Sequence, residues 1–455
     1  MISIAYETKG YGRIILCETH RRNCFMLLVK NGYMIDPRSQ REGAFDLLLD
    51  HGKIVRIAQQ GDLEDTVGPD AAVLDASRCI VAPGLVDTHA HFRDPGYPEK
   101  EDIHSGAAAA AAGGYTSIIM MANTNPPIDN TKVLKRVLEK CAKEKIHIYS
   151  AANVTLHMQG KELTDFETLK EAGAKVFTDD GVPVRNRLLL RSALLHAKAL
   201  DMPVSLHEED PSLISENGIN GGGAAAAYYG IKGSPREAEI TMIREDVQAA
   251  AQTGAALCIQ HISTAEGVAL VRYARQINPL IRAEATPHHF SLTEEAVIRC
   301  GALAKVNPPV RTEHDRMEII RGLQDGTISF IATDHAPHTA AQKAVTPLWK
   351  APSGMIGLET ALSLSIRELV NPGFLTMMQL LRLLTWNPAE YYKLPAGSIE
   401  EDGPADLVIF DPQAQWTVPD HFASRSSNSP FIGETLPGVV RWTIADGEIV
   451  YKNPQ

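Results

Sequence analysis

Two histidines one residue apart, His89 and His91, end an apolar run in the segment Asp87-Thr-His-Ala-His-Phe-Arg93. In an extended strand alternate side chains share a face, so both imidazoles point the same way, and Arg93 joins them if the strand continues. Two imidazoles on one face can bind one cation, although a His-x-His pair taken alone fits a structural role as well. Further metal-capable groups stand at the ends of later strand-like runs: Asp179-Asp180-Gly181, His207, His261, and Asp334 with His335 and His338 behind it. Asn123 ends another. Neutral imidazoles with carboxylates suit zinc, with manganese or cobalt as workable substitutes. Six ligands, His89, His91, Asp180, His207, His261 and Asp334, are too many for one catalytic zinc with an open position. Two metals sharing an anionic bridge account for the number, and the pair would lower the pKa of a water held between them. The bridge is either Asp180, short but near the rim, or Lys175, deeper and longer, if carbon dioxide carboxylates its amine.

These groups meet only if the runs that carry them are parallel neighbours. Eight candidate strands occupy residues 81–91, 117–123, 146–154, 174–178, 203–207, 256–261, 281–285 and 328–334. Stretches such as 130–145, 187–200 and 237–253 carry apolar residues at helical spacing between them. Eight strand-helix alternations match an α/β fold of the (β/α)8 TIM-barrel type better than a doubly wound sheet. No Gly-x-Gly-x-x-Gly follows an early strand, and Gly221-Gly222-Gly223 reads as a flexible loop. The barrel occupies residues 81–395, and its chemistry is expected at the C-terminal ends of the strands. Short apolar pulses separated by Asn-Gly, His-Gly and Asp-Gly turns at both chain ends, 26–80 and 396–455, are expected to pair into one small β-sandwich domain. Residues 1–25 form an N-terminal extension.

The chain has 455 residues, with 44 Lys+Arg against 55 Asp+Glu and a net charge of −11. Nucleic acid and anionic membranes are poor partners for such a chain. An anionic substrate must therefore meet a local cation. The longest apolar run, residues 107–112, is far short of a membrane span and reads as a helix packed on the barrel. Six scattered cysteines without a Cys-x-x-Cys pair fit reduced thiols in the cytoplasm.

At the metal-capable residues the chain resembles the urease-related amidohydrolase superfamily, and within it the class I dihydroorotases. The segments carrying the resemblance are Asp87-Thr-His-Ala-His-Phe-Arg-Asp-Pro-Gly96, Met121-Ala-Asn-Thr-Asn-Pro126, Val176-Phe-Thr-Asp-Asp-Gly181, His207-Glu-Glu-Asp210 and His261-Ile-Ser263. Thr286-Pro-His-His289, Asn307-Pro-Pro309, Thr333-Asp-His-Ala-Pro-His338, Gly357-Leu-Glu359 and Gly403-Pro-Ala-Asp-Leu-Val408 continue it. The resemblance implies two zinc ions per subunit, His89 and His91 on the more buried one, His207 and His261 on the other, and Asp180 as the bridge. It implies that Arg93 and Asn123 contact a substrate carboxylate, that His91, Asn307 and His338 make further substrate contacts, and that Gly354 offers its backbone. It also implies that Asp334 both binds metal and shuttles protons. Two departures stand out. Lys175 sits in a Lys-Val-Phe setting like that of the carboxylated lysine in hydantoinase-like relatives, and Ser353 replaces a residue that is often bulkier.

The implied reaction is the reversible closure of N-carbamoyl-L-aspartate to dihydroorotate in pyrimidine synthesis, with Asp334 as general base and then general acid. A homodimer and an association with aspartate transcarbamoylase are expected partners. Rival readings are another cyclic amidohydrolase (dihydropyrimidinase, hydantoinase or allantoinase) and a silent scaffold homologue. The first would not require Arg93, and the second would have lost metal ligands. Other residues invite plainer readings: structural hydrogen bonds rather than substrate contact for His288 and His289, a turn cap for Asp179, and surface or core roles for His104, His157 and His196. Glu208, Glu209 and Asp210 read as solvated loop charge, with a partner for the His207 ring as the alternative. Residues 339–352, with Lys343, Trp349 and Lys350, are expected to close over the substrate.

Overall fold

The computed structural model describes residues 26–64 and 71–454, so the expected extension, 1–25, lies outside it. Eight parallel strands, Leu85–Ala90, Tyr115–Met120, His147–Ala152, Ala174–Phe177, Val204–Leu206, Leu257–Ile259, Ile281–Ala285 and Phe330–Ile331, follow one another in strict chain order. Ala90 also bridges His335 in parallel, and the His91 amide donates to the His335 carbonyl at 2.8 Å, so the first strand meets the end of the last. The strands are almost wholly buried, as a parallel sheet covered by helices requires. The helices show why. Asn130 caps Thr131–Cys141, whose Leu134, Val137 and Cys141 face inward at helical spacing. Asp102 closes a capping box on Ile103–Ala112, the small-residue helix. A Cβ at Gly106 in that helix would lie 2.4 Å from the Phe92 ring, so the small residue lets the helix press on the turn after His91.

A second sheet of nine strands joins the two flanks. Leu407–Thr417 pairs antiparallel with Ile80–Pro83 on one side and with Thr435–Ala445 on the other. Its core includes Leu47, Leu49, Ile54, Val81, Leu407, Ile409 and Ile444. The single strand expected at 81–91 is therefore two strands in different sheets. Ile80–Pro83 belongs to the nine-stranded sheet and Leu85–Ala90 to the eight-stranded one, with Gly84 at the change of direction. The signal available was Pro83-Gly84, a turn dipeptide inside an otherwise apolar run, since both strands are buried on both faces. Among the described residues no helix is long and apolar enough to cross a membrane.

A Cβ at Gly84 would fall 2.1 Å from Thr116 Oγ1. Gly84→Ala is therefore expected to destabilise the fold by about 1–3 kcal/mol through overpacking. Chemical denaturation checks this; an unchanged midpoint would contradict the tight junction.

Candidate functional site

The ends of six strands bring their side chains to one mouth. Asp180 stands at its centre. Its Oδ1 lies 3.6 Å from His89 Nε2 and 3.9 Å from both His207 Nδ1 and His261 Nε2, while its Oδ2 lies 3.4 Å from His91 Nε2. Asp334 Oδ1 approaches His91 Nε2 at 3.0 Å and His89 Nε2 at 3.5 Å, and His207 Nδ1 sits 3.0 Å from His261 Nε2. His89, Asp180 and His261 lie close enough together to hold a metal ion, as do His89, His91 and Asp334; the two sets share His89, whose Nε2 can serve only one ion. The donor geometry fits this use. His89 Nε2 is buried and has no hydrogen-bond partner, yet two carboxylate oxygens face it. Ligand atoms on a shared zinc, at bonds of about 2.0–2.2 Å, stand about 3–3.5 Å apart, close to these separations.

Charge organises the group. Burial alone would raise the Asp180 and Asp334 carboxyls, but the surrounding imidazoles outweigh it and hold both below the usual carboxylate range. Burial likewise disfavours protonated His89, but Glu284 and Asp180 together raise it. His91 is lowered by burial and by the Arg93 charge. Backbone geometry is also unusual here: Arg93, His261 and Asp334 have φ of 55°, 30° and 45°. Left-handed non-glycine residues cost about 1–3 kcal/mol each and persist where surrounding contacts hold them.

Carboxylates behind the ligands orient the rings. Glu284, fully buried in the seventh strand, faces His89 Nδ1 at 2.5 Å, and Glu209 accepts from His207 Nε2 at 3.2 Å. Glu209 is thus no solvated loop charge. Glu284 was not anticipated at all; an acidic residue inside Ile-Arg-Ala-Glu-Ala was the signal available. Asp87 accepts from the His89 and Thr333 amides and from Thr333 Oγ1, tying the first strand to the last. Lys175 does not reach the centre. Its amine lies over the Tyr149 ring, 5.4 Å from the centroid, because the neighbouring positions Ala174 and Val176 take the buried face. Asn123 spans the cluster, accepting from His91 Nδ1 at 3.0 Å and donating to Asp180 Oδ2 at 2.9 Å.

Beside the cluster lie polar atoms with nothing to bind. Arg93 Nε, Asn307 Oδ1 and His338 Nδ1 are buried without hydrogen-bond partners. Burial, with Arg93 and Lys343 nearby, pushes His338 down to about 2. The ring is therefore neutral; its Nε2–H donates to the Ser353 carbonyl at 2.9 Å and Nδ1 is an acceptor. Gly354 differs from expectation. Its amide donates to the Lys305 carbonyl and its own carbonyl accepts from Lys343 Nζ and Asn428 Nδ2, so its backbone is engaged inside the protein. Lys343, expected on a mobile loop, is buried and donates to the Pro352 and Gly354 carbonyls.

Residues 78–267 match the family model described as Dihydro-orotase-like. The chain is 51% identical over 428 residues to a dihydroorotase of Streptococcus pyogenes serotype M3 (strain ATCC BAA-595 / MGAS315), covering 94% of this chain and 100% of the relative. It is 50% identical over 429 residues to a dihydroorotase of Clostridium acetobutylicum, with 94% and 100% covered. The chain belongs to the dihydroorotase family. Its fold is similar to solved structures of the L-hydantoinase (dihydropyrimidinase) from Arthrobacter aurescens, with TM-score 0.83, 24% identity and 95% and 97% of the chains covered. The dihydropyrimidinase from Brevibacillus agri NCHU1002 gives 0.81, 23%, 95% and 96%.

The remaining histidines of this dihydroorotase-family chain divide plainly. His289 pairs with Thr286 Oγ1 at 2.7 Å and with the Pro308 carbonyl at 2.9 Å, the structural role expected. His288 does not follow it: its Nε2 is buried without a partner, and burial pushes the ring down to about 4. Asp179 caps a neighbouring loop, accepting from the Val154 and Thr155 amides. His104 and His157 are exposed beside Glu144 and Asp129, and His196 lies against Phe166.

Glu284→Gln should keep the fold and weaken metal binding by ~10–100-fold, since removing the carboxylate behind a ligating imidazole loosens its orientation. Competition against a chelator measures it; unaltered affinity would leave Glu284 a packing residue.

Proposed function

We propose that this family member catalyses the reversible cyclisation of N-carbamoyl-L-aspartate to (S)-dihydroorotate and water, in de novo pyrimidine (UMP) synthesis. The curated relatives at about half identity over their full length support the reaction class. The observation that carries the substrate assignment is Arg93, a half-buried residue whose Nε is buried and unpaired beside the imidazole and carboxylate cluster. A planar fork of donors suits the dihydroorotate carboxylate, which it can hold bidentately. Asn307 Oδ1 and His338 Nδ1, both unpaired acceptors, suit ring N–H donors. The eight-stranded sheet is read as a closed (β/α)8 barrel that begins at Leu85 and runs to about residue 395, and the nine-stranded one as a β-sandwich from residues 26–83 and 396–455.

The metal ligands are His89, His91, Asp180, His207, His261 and Asp334, with Asp180 rather than a carboxylated Lys175 as the bridge, because Asp180 alone faces all four imidazoles. Two zinc ions bound there would polarise the ring amide and make a water acidic enough to lose its proton near neutral pH. Asp334 Oδ1 faces the His89 and His91 Nε2 atoms on the side where the metal would sit, which leaves Oδ2 to take the proton of the attacking water. The histidines keep this carboxylate ionised, so it starts as a base, and it then delivers the proton to the leaving ring nitrogen as the C–N bond breaks. In cyclisation the same group first takes a proton from that nitrogen. The burial of these side chains keeps bulk water from the proton path. A cytoplasmic homodimer, able to associate with aspartate transcarbamoylase, completes the reading drawn from the family resemblance.

The rival reading, a hydantoinase-like enzyme, gives Arg93 nothing to do. Turnover on dihydroorotate, hydantoin and allantoin side by side, with metal content, decides between them; preference for a ring without a carboxylate would sink the assignment. Arg93→Lys is expected to raise the KM for dihydroorotate by ~10–100-fold, the scale of a lost hydrogen bond to a charged group. Asp334→Asn should retain metal and lose at least ~10²-fold in kcat. Asp180→Ala should lose a metal ion per chain while Lys175→Ala keeps the full complement; metal loss in the lysine variant instead would overturn the bridge.

A further inference from the structure

Between Leu407–Thr417 and Thr435–Ala445 the nine-stranded sheet sends out a long connection, and residues 423–428 of it lie across the mouth of the other sheet. Asn428 is buried there and all three arms of its amide are used. Its Oδ1 accepts from the His338 amide at 3.0 Å, and its Nδ2 donates to the Ala336 and Gly354 carbonyls, each at 3.1 Å. Its own carbonyl accepts from the Ile356 amide at 3.1 Å. One residue thus joins the loop carrying His338 to the loop carrying Ser353 and Gly354. Ser424 Oγ and the Arg425 amide donate to the two oxygens of Glu101, a fully buried carboxylate that also faces His335 Nε2 at 3.2 Å. The Arg425 guanidinium donates to the Pro98 carbonyl at 2.7 Å and to Asp102 at 2.5 Å, on the loop that follows Arg93.

We infer that residues 424–428 are a strap by which the small sheet positions the substrate-binding side of the mouth, with Asn428 its principal positioning residue. The inference rests on the reaction proposed above and deepens it. The strap touches the loops that bear Arg93 and His338 and does not touch the metal-type side chains. Its loss should therefore show as weakened substrate binding with the metals retained. An amide is required at 428, because only it offers one acceptor and two donors in a plane; a carboxylate cannot serve the two carbonyls.

The test compares metal content, kcat and KM for dihydroorotate in the full-length metal-loaded enzyme, wild type against Asn428→Ala, Asn428→Asp and Arg425→Ala. Asn428→Ala and Asn428→Asp should raise KM by ~10–100-fold, the scale of misplacing a binding group by about 1 Å, with a smaller change in kcat and full metal. Arg425 is 45% exposed, so its alanine variant keeps the fold and carries the test if the Asn428 variants do not fold; its KM should rise several-fold. KM unchanged in these variants, or metal, kcat and KM lost together, would overturn the strap. Wild-type enzyme that opens hydantoin or allantoin and not dihydroorotate would refute the reaction instead, and the same KM comparison is then read on that substrate.

Discussion

A buried carboxylate among four imidazoles is the arrangement on which the rest of the molecule depends. Asp180 is 5% exposed and within 4 Å of His89, His91, His207 and His261. Such a group cannot be left in a low-dielectric interior without opposite charge around it. Histidine alone compensates poorly, because burial disfavours its charged form. Glu284 and Glu209 shift that balance from behind, and a bound cation would shift it further. The left-handed backbone at His261 and Asp334 follows from the same demand: the chain must turn abruptly at strand ends to aim each group at one point.

Such convergence needs a scaffold that places several strand ends in one ring. Parallel strands in chain order do this with short connections on one side, and the bridge from Ala90 to His335 brings the His89 and His91 pair beside Asp334. Asp87 shows how closely structure and chemistry are joined. Its carboxylate holds the His89 amide and the Thr333 amide together, so the contact that joins first and last strands also sets the separation of His89 and Asp334.

Much of this was legible from residue type and spacing. The eight strands, the shared end of their polar residues and the six metal-capable groups follow from periodicity and from the alternation of side chains along a strand. Lys175 and Asp180 could not be separated that way, since the choice depends on which face of a short strand packs on Tyr149. Glu284 was obscured, and Glu209 left between two readings, for a different reason. Charge in a loop or inside a strand looks like solvated surface until a buried partner is found for it. The break at Gly84 was passed over because two buried strands in different sheets read as one apolar run, although Pro83-Gly84 between them is a turn signal.

The acidic balance of the chain and an anionic substrate are reconciled locally. A net charge of −11 repels anions at long range, but salt screens that field within about 8–10 Å. Under the proposed function, a bound carboxylate would meet the half-buried Arg93 guanidinium and the buried cluster beside it, where screening is weaker than in open solvent. Lys305 and Lys343 are also buried near the mouth, but Lys305 donates to Asn217 Oδ1, the Ala351 carbonyl and Ser353 Oγ, and Lys343 to the Pro352 and Gly354 carbonyls, so both hold loops together. Arg93 is different because its Nε has no such partner. Under the proposed function, selectivity for a ring bearing a carboxylate would follow from this half-buried cation: a neutral ring would leave its buried Nε unpaired, and the desolvation penalty would fall on the wrong substrate.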